Sequence, residues 1–119
     1  MSKLVELDKK YYPLEDYGWY CPGCRSGHQI AVNQKNHSNA SWSFNGDFAS
    51  PTFLRSLHLK INTPDMGKDY QPDIHSTVCH CFIVNGQVQY LGDCTHGLRG
   101  QTVPLPDVPD NTYVGMRRL

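Results

Sequence analysis

Hydrophobic and polar positions along this chain alternate in short runs, and few windows show the 3.6-residue spacing of an amphipathic helix. Residues 56–61 alternate polar with apolar side chains, and residues 41–44 do the same before an Asn45-Gly46 turn. Residues 17–20 predict a strand that leads into Cys21-Pro22-Gly23-Cys24, with residues 28–32 as the return strand. The pattern predicts a mostly β fold: a compact antiparallel domain.

The clearest single element is a long hairpin over residues 78–94, with Asn85-Gly86 as its turn. A two-residue type I′ turn fixes the register, so that Val84 faces Gln87 and His80 faces Leu91. Successive side chains of a strand point to opposite faces. One face should therefore carry Cys79, Cys81, Ile83, Val88, Tyr90 and Cys94, and the other His80, Phe82, Val84, Leu91 and Asp93.

Chain length and net charge argue against a multidomain protein and against binding to nucleic acid or membranes. A chain of 119 residues and 13.5 kDa has the size of one domain, here taken as residues 1–119 with a compact core over about 10–108 and loose termini. Eleven basic and eleven acidic side chains give a net charge of zero and a pI near 7.0, which predicts neither nucleic-acid nor membrane binding. With no stretch of about 20 apolar residues, we expect a cytoplasmic protein.

Two stretches predict irregular structure. The polar residues 33–40 predict a loop after the return strand, and residues 62–73, with two prolines and Met66-Gly67, predict a mobile surface loop. The second of these joins the alternating strand 56–61 to the hairpin.

Cys21 and Cys24, separated by Pro and Gly, have the spacing of a zinc knuckle. Five cysteines in a chain expected to be cytoplasmic favour metal ligation or catalysis over disulfides. Two further ligands would complete a tetrahedral site, and the hairpin register favours Cys79 with Cys94. The alternatives for these two positions are Cys81, His28, His80 and His96.

A second constellation combines His80 and Asp93, which the hairpin places as diagonal neighbours on one face. A carboxylate that accepts a hydrogen bond from one imidazole nitrogen fixes the tautomer and lets the other nitrogen act as a base. Ser56, at the start of an alternating strand, is the preferred nucleophile, and Thr95 is a weaker one. His96 is either a metal ligand or a further acid or base.

Five runs stand out together: WYCPGC at 19–24, WSFNG at 42–46, PTF at 51–53, CHCF at 79–82 and LGDCTHGLRGQTV at 91–103. In combination they resemble a small family of domains that is frequent in phages and prophages and often labelled ammonia monooxygenase. That label does not suit a 119-residue chain without a membrane scaffold. Family members also accompany bacterial ubiquitin-like conjugation genes, where the resemblance implies a peptidase, with a serine nucleophile, that trims or removes a ubiquitin-like tail. The resemblance covers about residues 17–106.

Carried over to this chain, the resemblance implies polar catalytic positions at Ser56, His80, Asp93 and His96, and recurrent cysteines at Cys21, Cys24, Cys79 and Cys94. The leading hypothesis is a zinc-stabilised serine peptidase that acts on a ubiquitin-like protein. One alternative is a non-catalytic zinc-binding interaction module of phage origin. The other is a metallohydrolase in which His80, His96 and Asp93 hold a catalytic zinc.

Overall fold

The computed structural model describes residues 2–62 and 76–119, and all regular structure in these two segments is β-strand. This confirms the prediction of a mostly β, antiparallel fold. The strands, in chain order, are β1 Val5–Glu6, β2 Tyr17–Cys21, β3 Ser26–Ile30, β4 Ser43–Phe44, β5 Phe53–Asn62, β6 Ser76–Val84, β7 Gln87–Tyr90, β8 Thr102–Pro104 and β9 Arg117–Arg118.

The strands form two antiparallel sheets that share a hydrophobic core. The first sheet has the order β3-β2-β1-β9 and the second β4-β5-β6-β7-β8. Trp19 and Ile30 of the first sheet pack in one cluster with Phe53, Leu57 and Ile83 of the second. Because that cluster also contains Cys21, Cys79, Cys81 and Cys94, the thiols lie between the sheets.

The predicted hairpin forms with the predicted register. Val84 pairs with Gln87 across the Asn85-Gly86 turn, where both residues have positive φ. The Leu91 N–H donates to the His80 carbonyl over 2.9 Å. Burial alternates along β6, with Cys79, Cys81 and Ile83 buried and the residues between them partly exposed. The thiol face therefore points into the core, and the face that carries His80 points outward.

Strand β5 contains a bulge at the point where it approaches the hairpin. Phe53 pairs with Ile83 and Leu57 pairs with Cys81, so four steps along β5 match two steps along β6. Beyond the bulge the register is regular, and His58 lies directly opposite His80. Strand β5 thus accommodates two extra residues between Phe53 and Leu57, in the stretch that includes Ser56. Bulges often change the direction of a side chain next to an active site.

The chain ends differ from the loose termini expected from the sequence. Strand β1 pairs with both β2 and β9, and Leu4 and Val5 are fully buried. A two-residue strand is too short to show alternation, which is why the sequence pattern misses it. Most of the predicted surface loop 62–73 lies outside the described residues. Among the described residues, no helix is long and apolar enough to span a membrane.

Candidate active site and metal cluster

Three of the predicted catalytic side chains form a continuous hydrogen-bonded line on the outer face of the second sheet. The Nε2 atom of His80 lies 3.1 Å from the Ser56 Oγ. Its Nδ1 atom lies 3.0 Å from the Asp93 Oδ2. These distances are those of ordinary hydrogen bonds, so the imidazole connects the hydroxyl to the carboxylate.

The protonation of this line follows from the carboxylate. The hydrogen bond with His80 holds the pKa of Asp93 below its usual value, which keeps this carboxylate ionised at neutral pH. An ionised carboxylate can only accept, so Nδ1 of His80 is the donor to Asp93; in the neutral imidazole, Nε2 is then the acceptor that faces the Ser56 hydroxyl. The arrangement holds the tautomer in which His80 can accept a proton from Ser56.

Two features of the fold bring these three residues together. Ser56 and His58 are two residues apart on β5 and share the outer face with His80. The rings of His58 and His80 stack with their centroids 4.7 Å apart. Asp93 lies in the turn that follows the hairpin, two residues after the partner of His80. Partial exposure leaves the line open to solvent, with 24% of the His80 side chain and 53% of the Asp93 side chain accessible.

The residue before Ser56 has an uncommon backbone conformation. Arg55 has φ of 78°, in the left-handed region that side chains other than glycine rarely adopt. Its guanidinium lies over the Trp42 ring at 5.2 Å and donates to the Ser41 carbonyl over 3.2 Å. The Trp42 Nε1–H donates to the Ser56 carbonyl over 3.1 Å. Together these contacts fix the backbone on both sides of the hydroxyl.

A second cluster lies on the inner side of strand β6, the strand that carries His80. The ligand atoms of Cys21, Cys24, Cys79 and His96 all lie within 4.8 Å of one another. The Sγ atoms of Cys21 and Cys79 are 3.9 Å apart, close to the edge of about 3.8 Å that a tetrahedron with Zn–S bonds of about 2.3 Å would have. These four residues are therefore placed to hold one metal ion.

The surroundings of the cluster also fit a bound metal. The His96 Nε2 is buried and has no hydrogen-bond partner among the described residues, as expected of a side chain that ligates an ion. A Cβ atom at Gly23 would overlap the His96 imidazole, so the glycine of the knuckle allows the ring to approach. Cys21 Sγ accepts from the Cys24 N–H over 3.3 Å, and the Tyr90 hydroxyl lies 3.0 Å from the same sulfur.

The cysteines influence one another's ionisation in the metal-free chain. Hydrogen bonds from Cys24 and Cys79 lower the pKa of the Cys21 thiol. The same interactions with Cys21 raise the pKa of both partners. Burial, followed by the interaction with Cys21, raises the pKa of Tyr90. The ionisation of these three thiols is therefore coupled.

Cys94 is the predicted ligand that the structure does not bring into the cluster. Its Sγ instead accepts from the His80 N–H and lies within hydrogen-bond distance of the His80 carbonyl, each over 3.2 Å. The chain turns after Leu91, so the regular hairpin that would bring Cys94 diagonally across from Cys79 does not extend that far. Cys94 therefore stands against the backbone of His80, and His96, one of the predicted substitutes, takes the fourth position.

The position of His96 also separates it from the catalytic line. Its imidazole packs edge-on against Tyr90 at 4.5 Å on the inner side, while both ring nitrogens of His80 are used on the outer side. The three residues of the metallohydrolase alternative are thus divided between the two clusters. Cys81 and His28, the other possible ligands, are buried, and His28 packs edge-on against Trp19.

Sequence reasoning missed three contributors to these sites: His58 beside His80, Trp42 on the Ser56 carbonyl, and Tyr90 at the Cys21 sulfur. The alternation of β5 does place His58 on the face of Ser56, which is a signal that could have identified it. The Trp42 and Tyr90 contacts join residues 14 and 69 positions apart in the chain, and no local pattern predicts them.

Comparison with known proteins agrees with this geometry. No curated protein and no solved structure gives a significant match to the chain. One protein family does match, over residues 3–91, a span that contains β1 to β7 with Ser56 and His80. Its description is bacterial ubiquitination-like system serine protease (BubE). Since the match covers well over half of the sequence, the chain belongs to the BubE family of serine proteases of bacterial ubiquitination-like systems.

Proposed function

We propose that this chain is a serine peptidase that cleaves the tail of a ubiquitin-like protein, either in a precursor or in a conjugate. The observation that carries the proposal is the hydrogen-bonded line from Ser56 through His80 to Asp93. The family supports it, because its description names both a serine protease and a ubiquitination-like system.

The proposed reaction uses the three side chains in sequence. His80 Nε2 takes the hydroxyl proton as Ser56 Oγ attacks the carbonyl carbon of the scissile bond. The protonated imidazole then gives this proton to the leaving amine, and the acyl group stays on Ser56. His80 next deprotonates a water molecule that attacks the acyl ester, and then returns this proton to Ser56 Oγ as the acid product leaves. Throughout, Asp93 accepts from Nδ1 and stabilises the positive charge on the ring.

In the proposed enzyme, Cys21, Cys24, Cys79 and His96 hold a structural zinc. Bound zinc would supply a cross-link between the knuckle, strand β6 and the turn after the hairpin. Three thiolates and one imidazole complete a tetrahedral set, which leaves no open position for a substrate. Cys79 precedes His80, and His96 follows Asp93 by three residues, so the ligands constrain the two residues on which Ser56 depends.

The alternative of a non-catalytic binding module makes a different prediction for the same surface. A module needs neither a hydroxyl at Ser56 nor a tautomer held by Asp93. Nothing in simple binding explains why Nε2 of His80 should face a hydroxyl within 3.1 Å. The phage association, the cytoplasmic location and the natural substrate stay predictions.

The test compares Ser56→Ala with Ser43→Ala, a matched change at an exposed serine on the neighbouring strand. The substrate is a ubiquitin-like precursor with extra residues beyond its tail glycine. We expect Ser56→Ala to lower the cleavage rate by about 10⁴-fold or more, because the nucleophile is lost. Ser43→Ala should cleave normally, and both variants should keep their metal and melting temperature. Normal cleavage by Ser56→Ala would favour the binding module.

A further inference from the structure

Strand β5 has an open edge beside the candidate nucleophile. Its neighbour β4 covers only Phe53 and Leu54, before the bulge. From Ser56 onward, no strand of the described residues pairs with β5 on the side away from β6. Open edges of this kind can accept an extended peptide as an additional strand.

The direction of the His58 backbone follows from its partner. The His80 N–H and C=O face Cys94 and Leu91, on the β7 side of strand β6. Opposed residues in an antiparallel pair either both exchange hydrogen bonds or both do not, so His58 and His80 form a non-bonded pair. The N–H and C=O of His58 therefore point to the open edge, where they have no partner among the described residues.

A cleft of about 330 Å³ runs along this edge. It extends along β5 from Arg55 to Leu59, and Trp42, Asn36 and Ser38 line its opposite side. This volume is at the lower end of the range for ligand sites. Since the Trp42 indole already donates to the Ser56 carbonyl, a peptide in the cleft passes close to this ring at Ser56.

We infer that the substrate's tail binds in this cleft as an extra strand, antiparallel to β5, through the N–H and C=O of His58. The inference rests on the proposed function and specifies how the peptide reaches Ser56. All pairs in this sheet are antiparallel, and in that arrangement one peptide residue makes both bonds to His58. That residue lies two positions from the one that faces Ser56. Beside the Trp42 ring, the residue facing Ser56 has to be small, as glycine is.

The test uses a peptidyl diphenyl phosphonate, acetyl-Ala-Ala-Gly followed by the phosphonate analogue of glycine. Ser56 Oγ displaces phenol from this probe and forms an O–P bond, which holds the peptide in the site without turnover. Two versions carry one N-methyl group each. One is methylated at the second alanine, two positions from the phosphonate, whose N–H would donate to the His58 carbonyl. The matched control is methylated at the intervening glycine, whose N–H points away from β5.

The readouts are the rate of adduct formation by intact mass and the hydrogen exchange of the His58 amide by NMR. We expect the adduct to slow this exchange by about tenfold or more, and methylation at the alanine to slow labelling by about threefold to tenfold. Methylation at the glycine should leave the rate unchanged. Adduct formation with unchanged His58 exchange and equal effects of both methyl groups would overturn the strand pairing alone. No adduct at Ser56 would overturn the proposed function as well.

Discussion

Cys79 and His80 are neighbours in one strand but belong to regions of opposite character. Cys79 is fully buried and lies in the cluster of three thiols and an imidazole. His80 points outward, with 24% of its side chain exposed; its ring nitrogens lie at hydrogen-bond distance from Ser56 and Asp93, and the ring stacks on His58. Alternation along β6 thus lets a single strand join a core cluster that could hold a metal ion to the proposed catalytic line on the surface.

The difference between the two regions is a difference in what a substitution should change. Substituting a buried metal ligand such as Cys79 removes the cross-link that the metal provides, so it should lower the stability of the small core. Substituting His80, whose half-exposed imidazole contacts a hydroxyl and a carboxylate, removes little packing, so it should lower activity and leave stability almost unchanged. If the geometry of Ser56, His80 and Asp93 depends on the metal cluster, loss of the metal should lower activity. Loss of the His80 imidazole, in contrast, should leave metal binding and stability unchanged.

The largest effects are expected for Cys79→Ala and His80→Ala, the two neighbours themselves. Cys79→Ala should lose the metal and lower the free energy of unfolding by about 4 kcal/mol or more, because loss of a metal is among the most destabilising changes. His80→Ala should keep the metal and the fold, while kcat/KM falls by about 10⁴-fold. Native mass spectrometry, chemical denaturation and a cleavage assay measure these quantities. Loss of the metal in His80→Ala would contradict the claim that His80 affects activity without affecting the metal site.

A smaller effect should separate Cys94 from His96, which takes the ligand position predicted for Cys94. His96→Ala should weaken metal binding, because the imidazole occupies the fourth position of the cluster. Cys94→Ala should retain one metal per chain and lower kcat/KM by about tenfold, since its thiol bonds to the His80 backbone beside Asp93. Metal titration of both variants measures this. The opposite result would restore Cys94 as the ligand expected from the sequence.

Two aspartates provide a third comparison, since the pKa of each is lowered by different partners. Burial raises the pKa of Asp16, but hydrogen bonds from Lys9, Val32 and Asn33 outweigh this effect and lower it. Asp16→Asn should cost about 2 kcal/mol of stability and leave kcat unchanged. Asp93→Asn should leave stability unchanged and lower kcat, because His80 loses its orienting acceptor. Equal effects of the two changes on kcat would contradict the separation.

The pH dependence of stability should differ in the same way. Because the folded-state pKa of Asp16 lies below its ordinary value of 3.8, the unfolded chain binds more protons between these two values. Stability therefore rises with pH through that window, is fully present above it, and is lost as the pH falls through the folded-state value. Asp16→Asn should flatten this part of the profile, as measured by urea unfolding between pH 2 and 5. A profile identical to the wild type would show that Asp16 does not carry it.

Much of the fold and of the catalytic line was accessible from the sequence. The Asn85-Gly86 turn fixed the register, and alternation then separated the thiols from His80 and Asp93. The alternating run in β5 placed Ser56 on a strand whose outward face also carries His58. In each case a local pattern with period two determined the result.

What the sequence could not provide depends on contacts between distant segments. No turn residue in the sequence predicts the two-residue bulge before Leu57. The positive φ of Arg55 is stabilised by contacts with Trp42 and Ser41, which lie more than ten positions away in the chain. The choice of His96 over Cys94 depends on where the chain turns after Leu91, three positions before Cys94. Strand β9 forms because β1 lies beside it, and neither is long enough to recognise alone.

The most direct measurement of the central claim is labelling by a fluorophosphonate, followed by intact mass and peptide mapping, for the metal-loaded wild type. The account predicts one adduct per chain, on Ser56, formed about 100-fold or more slowly in His80→Ala, because the imidazole no longer takes the hydroxyl proton. Ser43→Ala, a change at an exposed serine on β4, should label at the wild-type rate. An adduct on another residue, or labelling of Ser56 that does not depend on His80, would contradict the account.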